Sequence, residues 1–465
     1  MVVIGMVERP PHSFAEKFIR GNILNVFWNN LLGGLGLITS FLTLTALSVR
    51  DFGIYQLVLS VVLFLDVFSV NFFDEVVQND ITRAFGDKRN ADAKRLFFEF
   101  SALKVGVSIL VTITLFFSAS AVAHFYDKDI GSYVRIISLV MVIHALQSVI
   151  NLFLRSVVSL RAIGAGAVEE FSKLTLVAGL FFFSTLGIRE VLFSTVIASL
   201  VAFIYLTIPF VREFKIFFNG IAAKPQFMFG PILKMYGFWI LFRSATRKSA
   251  KPLRPWLIAT LLNAEAVALY ALATNLVVMI KNILPLLDSS LLAWEAANPS
   301  RLGYIFGRSA KYLFWGGMAL ALVGFLAVPP LVQLLFPKYL PAMPLFILFL
   351  LSVPIHGISR LESSLLTTFR EQKLLASLFL TDMAISVAIL VTFLPWLGVL
   401  AVGIETNSAI LWHTWFLYRR MSRKYPFLRL NFRSFFRIDA EDRLIFRRGI
   451  IEVISFFRRT RQAVS

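Results

Sequence analysis

The segment from Tyr236 to Leu262 reads YGFWILFRSATRKSAKPLRPWLIATLL and places basic residues inside an apolar run of membrane-spanning length. At about 100° per residue, four of these cations lie within about 80° of one another on a helical wheel. Each cation at bilayer depth costs about 2.5 to 3.5 kcal/mol, so this face cannot contact lipid. The segment predicts a wet, electropositive cavity for an anion, lined by Arg243, Arg247, Lys251 and Arg254. The alternative is a re-entrant or interfacial helix that is broken at its prolines.

The composition around this segment indicates a membrane protein. Hydrophobic residues make up 58% of the chain and charged residues only 16%, against about 25% charged in soluble domains. Apolar runs of about 20 residues recur, and only helices satisfy the backbone of such runs in lipid. We therefore predict an all-α integral membrane protein with about 12 transmembrane helices. The candidate spans are 22–46, 52–73, 97–123, 133–154, 172–187, 191–211, 236–262, 265–287, 310–328, 343–368, 374–394 and 398–418.

The distribution of basic residues predicts the orientation of these spans. Loops on one side, together with both terminal segments, carry nearly all of the Lys and Arg residues. Because basic loops remain in the cytoplasm, both termini are predicted to be cytoplasmic in a multi-pass protein of the plasma (inner) membrane. The net charge of +19 follows from this topology, so we predict no nucleic-acid partner. The opposite side has only Arg50, Lys128, Arg135, Arg189 and Lys338.

Several chemical classes are disfavoured by what the sequence lacks. The chain contains no cysteine, which excludes a disulfide framework, thiolate metal sites and cysteine catalysis. It has no phosphate-binding loop of the G-x-x-x-x-G-K-[ST] type and no metal-ligand spacing of histidines. No predicted external loop is long enough for a catalytic domain. We therefore expect a protein that is not an enzyme and has no catalytic residues, no metal and no cofactor.

The two halves of the chain repeat one another. The segment LSVRDFGIY at Leu47–Tyr55 and the segment starting at Leu262 lie in equivalent turns, with an offset of 215 residues from Tyr55 to Tyr270. An even number of helices per repeat preserves orientation, which predicts two pseudo-symmetric six-helix bundles around a central cavity. The basic amphipathic tail is expected on the anionic inner leaflet. The predicted domains are the N-terminal bundle 1–215, the cytoplasmic linker 216–235, the C-terminal bundle 236–418 and the cytoplasmic tail 419–465.

These same segments carry a family resemblance. LSVRDFGIY at Leu47–Tyr55, NAEAVALYALA at Asn263–Ala273, FPKYLPA at Phe336–Ala342 and TTFREQK at Thr367–Lys373 resemble the polysaccharide flippase branch of the multidrug/oligosaccharidyl-lipid/polysaccharide exporter superfamily, the Wzx-type flippases. The resemblance covers roughly 20–420. It implies a V-shaped pair of six-helix bundles whose central cavity opens alternately to each side.

The resemblance also implies the substrate, a sugar chain on a polyprenyl diphosphate. Where the seventh helix of such flippases often carries an Asp near its external end, this chain has the basic sequence KPLRP at 251–255. This departure argues for an anionic substrate, because a planar guanidinium binds phosphate oxygens bidentately.

Charged residues inside other spans add candidate positions. Lys281 is expected to face the cavity, and Lys104 is expected to reach the cytoplasmic interface along its flexible stem. Asp66, Asp382 and Glu405 are candidates for ion coupling, since a carboxylate within a bundle binds a proton or a sodium ion. The alternative is that each carboxylate forms a structural pair with one of the basic residues.

Polar residues in two further spans have a functional and a structural interpretation. Asn25 and Asn29 lie one helical turn apart and fit either sugar hydroxyls or hydrogen bonds between helices. His356 and Arg360 lie one turn apart in a polar strip, where His356 fits either a proton relay or ordinary packing.

The sequence thus predicts a flippase that moves a lipid-linked oligosaccharide from the cytoplasmic to the outer leaflet by alternating access, for polysaccharide or O-antigen biosynthesis. The expected partners are the polyprenyl-diphosphate-linked oligosaccharide, membrane lipids, a coupling proton or sodium ion, and polysaccharide assembly proteins. The alternative is an ion-coupled exporter of another anionic or small solute, similar to multidrug exporters. A membrane enzyme acting on lipid-linked sugars would need a sizeable external loop or an acidic metal-binding motif, and we find neither in the sequence.

Overall fold

The computed structural model confirms an all-α integral membrane protein. It describes residues 31–65, 70–126, 130–157, 164–222, 227–230, 252–284, 299–369, 371–430 and 435–436. Within these residues, regular structure consists of α-helices and short 3-10 helices. The long apolar runs form helices because lipid offers no hydrogen-bond partner to the backbone.

We number the described α-helices in chain order, α1 to α14. They are α1 Leu31–Ala46, α2 Val49–Leu65, α3 Asp74–Gly86, α4 Asn90–Tyr126, α5 Gly131–Ser156, α6 Ala165–Phe183, α7 Ile188–Phe218, α8 252–261, α9 Ala264–Ile283, α10 Pro299–Leu335, α11 Met343–Leu350, α12 Val353–Thr368, α13 Gln372–Leu397 and α14 Leu400–Lys424.

Six of the described helices are long and apolar enough to cross a membrane, or seven if one bent pair counts as a single span. That pair is Pro337–Leu350 with Val353–Leu366, which meet at 50°. The predicted span 343–368 is therefore broken in its middle, at Leu351 and Ser352. The total of about 12 spans stays a prediction, since parts of several spans lie outside the described residues.

The chain divides into two compact units. The first consists of 1–279, 325–349 and 373–407, and the second consists of 280–324, 350–372 and 408–465. The predicted division at the linker 216–235 follows the internal repeat instead, and it stays a prediction.

The first unit has a phenylalanine-rich core. The α5 helix packs against α4 and α7, and α6 packs against α7. The ring of Phe153 on α5 lies 5.3 Å from Phe97 on α4, 5.3 Å from Phe218 on α7 and 5.4 Å from Phe210 on α7. Such edge and tilted aromatic contacts fix the helices more tightly than area burial alone.

Three of the segments that carry the family resemblance pack together in the first unit. At Gly53 on α2, an added Cβ would lie 1.8 Å from the carbonyl oxygen of Ala264 on α9. Only glycine allows this approach of two backbones. The Lys338 ammonium donates hydrogen bonds to the carbonyl oxygens of Thr45 at 3.2 Å and Leu47 at 2.5 Å, at the end of α1. These segments therefore serve helix packing.

The second unit has a close contact of its own near the end of α14. An added Cβ at Gly303 on α10 would lie 2.2 Å from the carbonyl oxygen of Phe427, in the 3-10 turn that follows α14. Tyr425 stacks on Phe369 with ring centroids 4.2 Å apart. These contacts attach the end of α14 to α10 and to the segment after α12.

Candidate functional site

A bidentate ion pair joins two residues that the sequence assigns to different roles. The Arg254 guanidinium donates from Nε to Glu405 Oε2 at 3.0 Å and from Nη2 to Oε1 at 2.9 Å. Arg254 is a predicted cavity cation, and Glu405 is a predicted coupling carboxylate. The parallel geometry is the strongest one available to an arginine and a carboxylate. We call this group the Arg254–Glu405 cluster.

Three hydroxyl groups also contact the cluster. The Ser386 hydroxyl on α13 hydrogen-bonds to Glu405 Oε1, and the Thr406 hydroxyl lies 3.2 Å from Oε2. The Tyr270 hydroxyl on α9 is also a neighbour of the Arg254 guanidinium. The cluster therefore connects α8, α9, α13 and α14, which are all helices of the predicted C-terminal bundle.

Exposure differs between the two members of the cluster. The side chain of Glu405 is fully buried, whereas 27% of the Arg254 side chain is exposed. A guanidinium has five N–H donors, and the pair uses two of them. The geometry is compatible with the prediction that Arg254 is a cavity cation, which stays a prediction. It also matches the structural-pair interpretation of Glu405.

The second unit brings three other predicted residues together. Lys281 and Arg360 both interact electrostatically with His356. His356 and Lys281 are partly buried, and Arg360 is exposed. The polar strip predicted on one face of α12 therefore extends to the end of α9.

The other predicted site residues are Asp382 and six positions outside the described residues. Asp382 lies one turn before Ser386 on α13 and is partly buried. Six predicted positions lie outside the described residues, so their assignments stay predictions: Asn25, Asn29, Asp66, Arg243, Arg247 and Lys251.

The structure corrects the expectation for Lys104. Its side chain is fully buried, and its ammonium lies 2.6 and 2.7 Å from the two carboxylate oxygens of Asp74. The same ammonium lies 2.5 Å from the Ser148 hydroxyl, which also donates to Asp74 Oδ2 at 2.9 Å. Lys104 does not reach the interface, because a carboxylate from α3 pairs with it inside the unit.

A second polar group lies on the same helices. Glu169 Oε1 accepts a hydrogen bond from the Ser199 hydroxyl at 2.6 Å and lies 3.1 Å from His144 Nε2. The Gln147 amide nitrogen lies 3.5 Å from Glu169 Oε2 and 2.7 Å from the Ser199 carbonyl oxygen. Sequence reasoning misses Glu169 because this residue falls in a predicted cytoplasmic loop, between 154 and 172. A carboxylate within two turns of a span end is the signal that could have found it.

These two groups border one cavity of ≈ 330 Å³. Eight polar side chains and Leu152 line it, including Asp74 from α3, His144 and Asn151 from α5, and Glu169 from α6. Polar walls of this kind within a membrane protein mark a water-filled space, since lipid cannot satisfy them. We call it the N-terminal cavity.

One buried carboxyl in the second unit has no partner among the described residues. Glu362 on α12 is fully buried, and neither carboxyl oxygen makes a hydrogen bond. Burial without a partner disfavours a charge strongly. The sequence does not predict that the Glu362 carboxyl is buried without a partner in the described part of the chain, because a position on a helix does not reveal which residues of other helices face it.

The family of the chain follows from the sequence match that covers this part of the fold. The family model described as "Polysaccharide biosynthesis protein" matches residues 46–290, more than half of the chain. The chain belongs to this family. The match contains both Leu47–Tyr55 and Asn263–Ala273, so the resemblance to polysaccharide flippases that these segments indicate is confirmed. No curated protein matches the sequence significantly.

Solved structures show the fold of this family member. The lipid II flippase MurJ, in an inward closed conformation, is similar with a TM-score of 0.71 and 12% identity, covering 89% of this chain and 89% of that chain. An inward-facing multidrug resistance MATE family transporter of the MOP superfamily has a TM-score of 0.69 and 13% identity, covering 84% and 95%. At such identities the similarity shows a shared transporter fold, and it does not extend to the substrate.

Proposed function

We propose that this protein is a flippase that moves a polyprenyl-diphosphate-linked oligosaccharide from the cytoplasmic to the outer leaflet of the plasma (inner) membrane. The family match over 46–290 carries the proposal, because it connects the chain to polysaccharide biosynthesis. The fold similarity to the lipid II flippase MurJ is compatible with a flippase, because it shows that the two chains share a fold.

The charges of the chain support a diphosphate as the group that is recognised. The segment 236–262 contains Arg243, Arg247 and Lys251 upstream of Arg254, whose side chain is partly exposed. Arginine forks bind phosphate oxygens in pairs, and clustered cations in a low-dielectric cleft attract anions over a distance. In this mechanism the cations hold the diphosphate, the lipid tail stays in the bilayer, and the sugars cross through water.

Alternating access completes the proposed mechanism. Repeat-built carriers move one bundle against the other around a substrate site near the midplane. We propose that loading occurs from the cytoplasmic leaflet and release at the outer leaflet, with both termini in the cytoplasm. A proton or sodium gradient would supply direction, because the sequence contains no nucleotide-binding loop.

Reconstitution tests the proposal directly. Full-length protein is placed in liposomes with a polyprenyl diphosphate that carries a labelled disaccharide, and an impermeant glycosidase measures how fast the sugar reaches the outer surface. We expect translocation that depends on the protein. A rate equal to that of empty liposomes would overturn the proposal.

A charge-reversal variant tests the role of the basic segment. Replacing Arg247 and Lys251 by Glu is expected to abolish translocation while the protein still inserts into the membrane, since the diphosphate then meets two carboxylates. The matched control reverses Arg458 and Arg461 in the tail, which changes the net charge equally. Normal translocation by the Arg247 and Lys251 variant would remove the basic segment from the mechanism.

The second candidate is export of another anionic or small solute. The fold similarity to the multidrug resistance MATE family transporter, with a TM-score of 0.69, favours this alternative. The same liposomes distinguish the two, because a small-solute exporter moves a soluble anionic dye and leaves the lipid-linked disaccharide in place.

A further inference from the structure

We infer that the N-terminal cavity binds a neutral sugar ring of the transported oligosaccharide, separately from the cations that hold the diphosphate. This inference rests on the proposed function. It starts from a cavity of ≈ 330 Å³ whose lining has eight polar side chains and one leucine. A volume near the lower end of ligand pockets suits one sugar ring and excludes a longer chain.

The charges of the cavity argue against an anion. Asp74, Glu169 and Arg155 all line it, so a diphosphate would meet two carboxylates and a single guanidinium. Each carboxylate is already compensated, Asp74 by the Lys104 ammonium and Glu169 by His144 together with the Ser199 hydroxyl. A site with balanced charges and many hydrogen-bonding groups recognises a neutral polyol better than an ion.

A metal ion does not fit this cavity either. The part of the chain that the structure describes contains no group of three His, Asp or Glu side chains placed to hold a metal. The ammonium of Lys104 further occupies both oxygens of Asp74. The carboxylates are therefore arranged for hydrogen bonds and ion pairs within the protein.

One wall residue has an unused acceptor. Asn151 on α5 lines the cavity, and its buried side-chain oxygen has no hydrogen-bond partner among the described residues. A buried acceptor without a partner costs about 1–3 kcal/mol, so such groups normally meet a ligand or water. A sugar hydroxyl is a suitable donor to this oxygen when a rotation of the Asn151 side chain turns it into the cavity. Gln78 on α3 adds a second amide to the lining.

The position of the cavity fits the first step of transport. By the predicted topology, Asp74 and Arg155 belong to loops on the cytoplasmic side, and both line the cavity. The sugars of a lipid-linked substrate enter from that side in the proposed function. A ring bound here would orient the sugar chain before the protein opens outward.

Binding measurements on the full-length protein in detergent test the inference. The two probes are a polyprenyl diphosphate that carries a disaccharide and the same polyprenyl diphosphate without sugar. Two or three added hydrogen bonds at about 0.5–1.5 kcal/mol each predict a preference of about fivefold or more for the first probe.

The decisive variant is Asn151→Leu, which removes the amide and keeps a similar volume. We expect the preference to fall to about twofold or less, with unchanged affinity for the sugar-free lipid. The matched control is Gln333→Leu, an exposed amide on α10 outside the cavity, which should keep the full preference. If Asn151→Leu does not fold, Gln78→Leu takes its place with the same expected result.

The outcomes separate the inference from the proposed function. If the wild-type protein binds neither lipid, both the sugar subsite and the proposed flippase function are overturned. Equal binding of the two lipids by the wild type, or a preference that survives Asn151→Leu, would overturn the sugar subsite and leave the flippase proposal standing. Loss of the preference in Asn151→Leu with the control unaffected would support the subsite.

Discussion

Two buried ion pairs in the first unit have opposite arrangements. In the Asp74–Lys104 pair the cation is fully buried, and 27% of the carboxylate side chain is exposed. In the Arg254–Glu405 pair the carboxylate is fully buried, and 27% of the guanidinium side chain is exposed. In each pair the buried charge is neutralised by its partner. The partly exposed group is a carboxylate in the first pair and a guanidinium in the second.

Because of this difference, the two pairs fit different parts of the proposed substrate. A partly exposed carboxylate accepts hydrogen bonds from hydroxyl groups, whereas a partly exposed guanidinium donates to phosphate oxygens. The first pair therefore suits the sugar and the second suits the diphosphate. In both places the paired charge makes the exposed group rigid, which lowers the cost of binding.

The largest effect is expected when the exposed member of a pair is removed. Arg254→Met removes the counter-charge of the fully buried Glu405, and Asp74→Asn removes the carboxylate from Lys104. Each is expected to lower the free energy of unfolding by about 3–5 kcal/mol, because a buried charge loses its partner. Denaturant titration in mixed micelles measures the change.

The matched control for these variants is Asp87→Asn, which leaves the second ion pair of Arg89, with Asp92, in place. Arg89 pairs with Asp87 at the surface, where both side chains are about half exposed. Water compensates such a pair, so the loss of stability should be much smaller. An equal loss in Asp87→Asn and Asp74→Asn would contradict the comparison.

A smaller effect is expected when the fully buried member is removed. Lys104→Met and Glu405→Gln leave behind a partly exposed charge, which water can reach. We expect a loss of about 1–3 kcal/mol in each, measured by the same titration. A loss larger than in Asp74→Asn or Arg254→Met would show that exposure does not decide the cost.

The carboxyl of Glu362 sharpens the comparison, because it is buried without a partner among the described residues. Glu362→Leu should raise the free energy of unfolding by about 1 kcal/mol, since it removes an uncompensated polar group. Glu362→Gln keeps a polar group in place and should gain less. A clear loss of stability in Glu362→Leu would indicate a partner that the fold needs.

The smallest change in stability is expected for the double variant Arg254→Met with Glu405→Met. Replacing a whole buried ion pair by apolar side chains is often neutral, so we expect a change within about 1 kcal/mol. Translocation of the lipid-linked disaccharide should nevertheless fall, because the exposed guanidinium is gone. Full translocation by this stable double variant would show that the pair has only a structural role.

Particular residues show how far sequence reasoning reaches. The apolar runs predict helices at the positions of α4, α5, α7, α10 and α13, because length and hydropathy are local properties. The Lys104 expectation is wrong because a flexible stem allows both an interfacial and a buried position. The break at Leu351 and Ser352 comes just before Pro354, and a proline in the first turn of a helix is the sequence signal that could have located it.

The sequence by itself determined the membrane-spanning helices, the internal repeat, the basic segment and the family, since each depends on composition, spacing or short motifs. Only the tertiary structure decided which charges meet. Arg254 and Glu405 are 151 residues apart, and Asp74 and Lys104 are 30 residues apart. Lateral packing of helices brings such residues together, and helical periodicity specifies the face of a residue but not the helix that this face contacts.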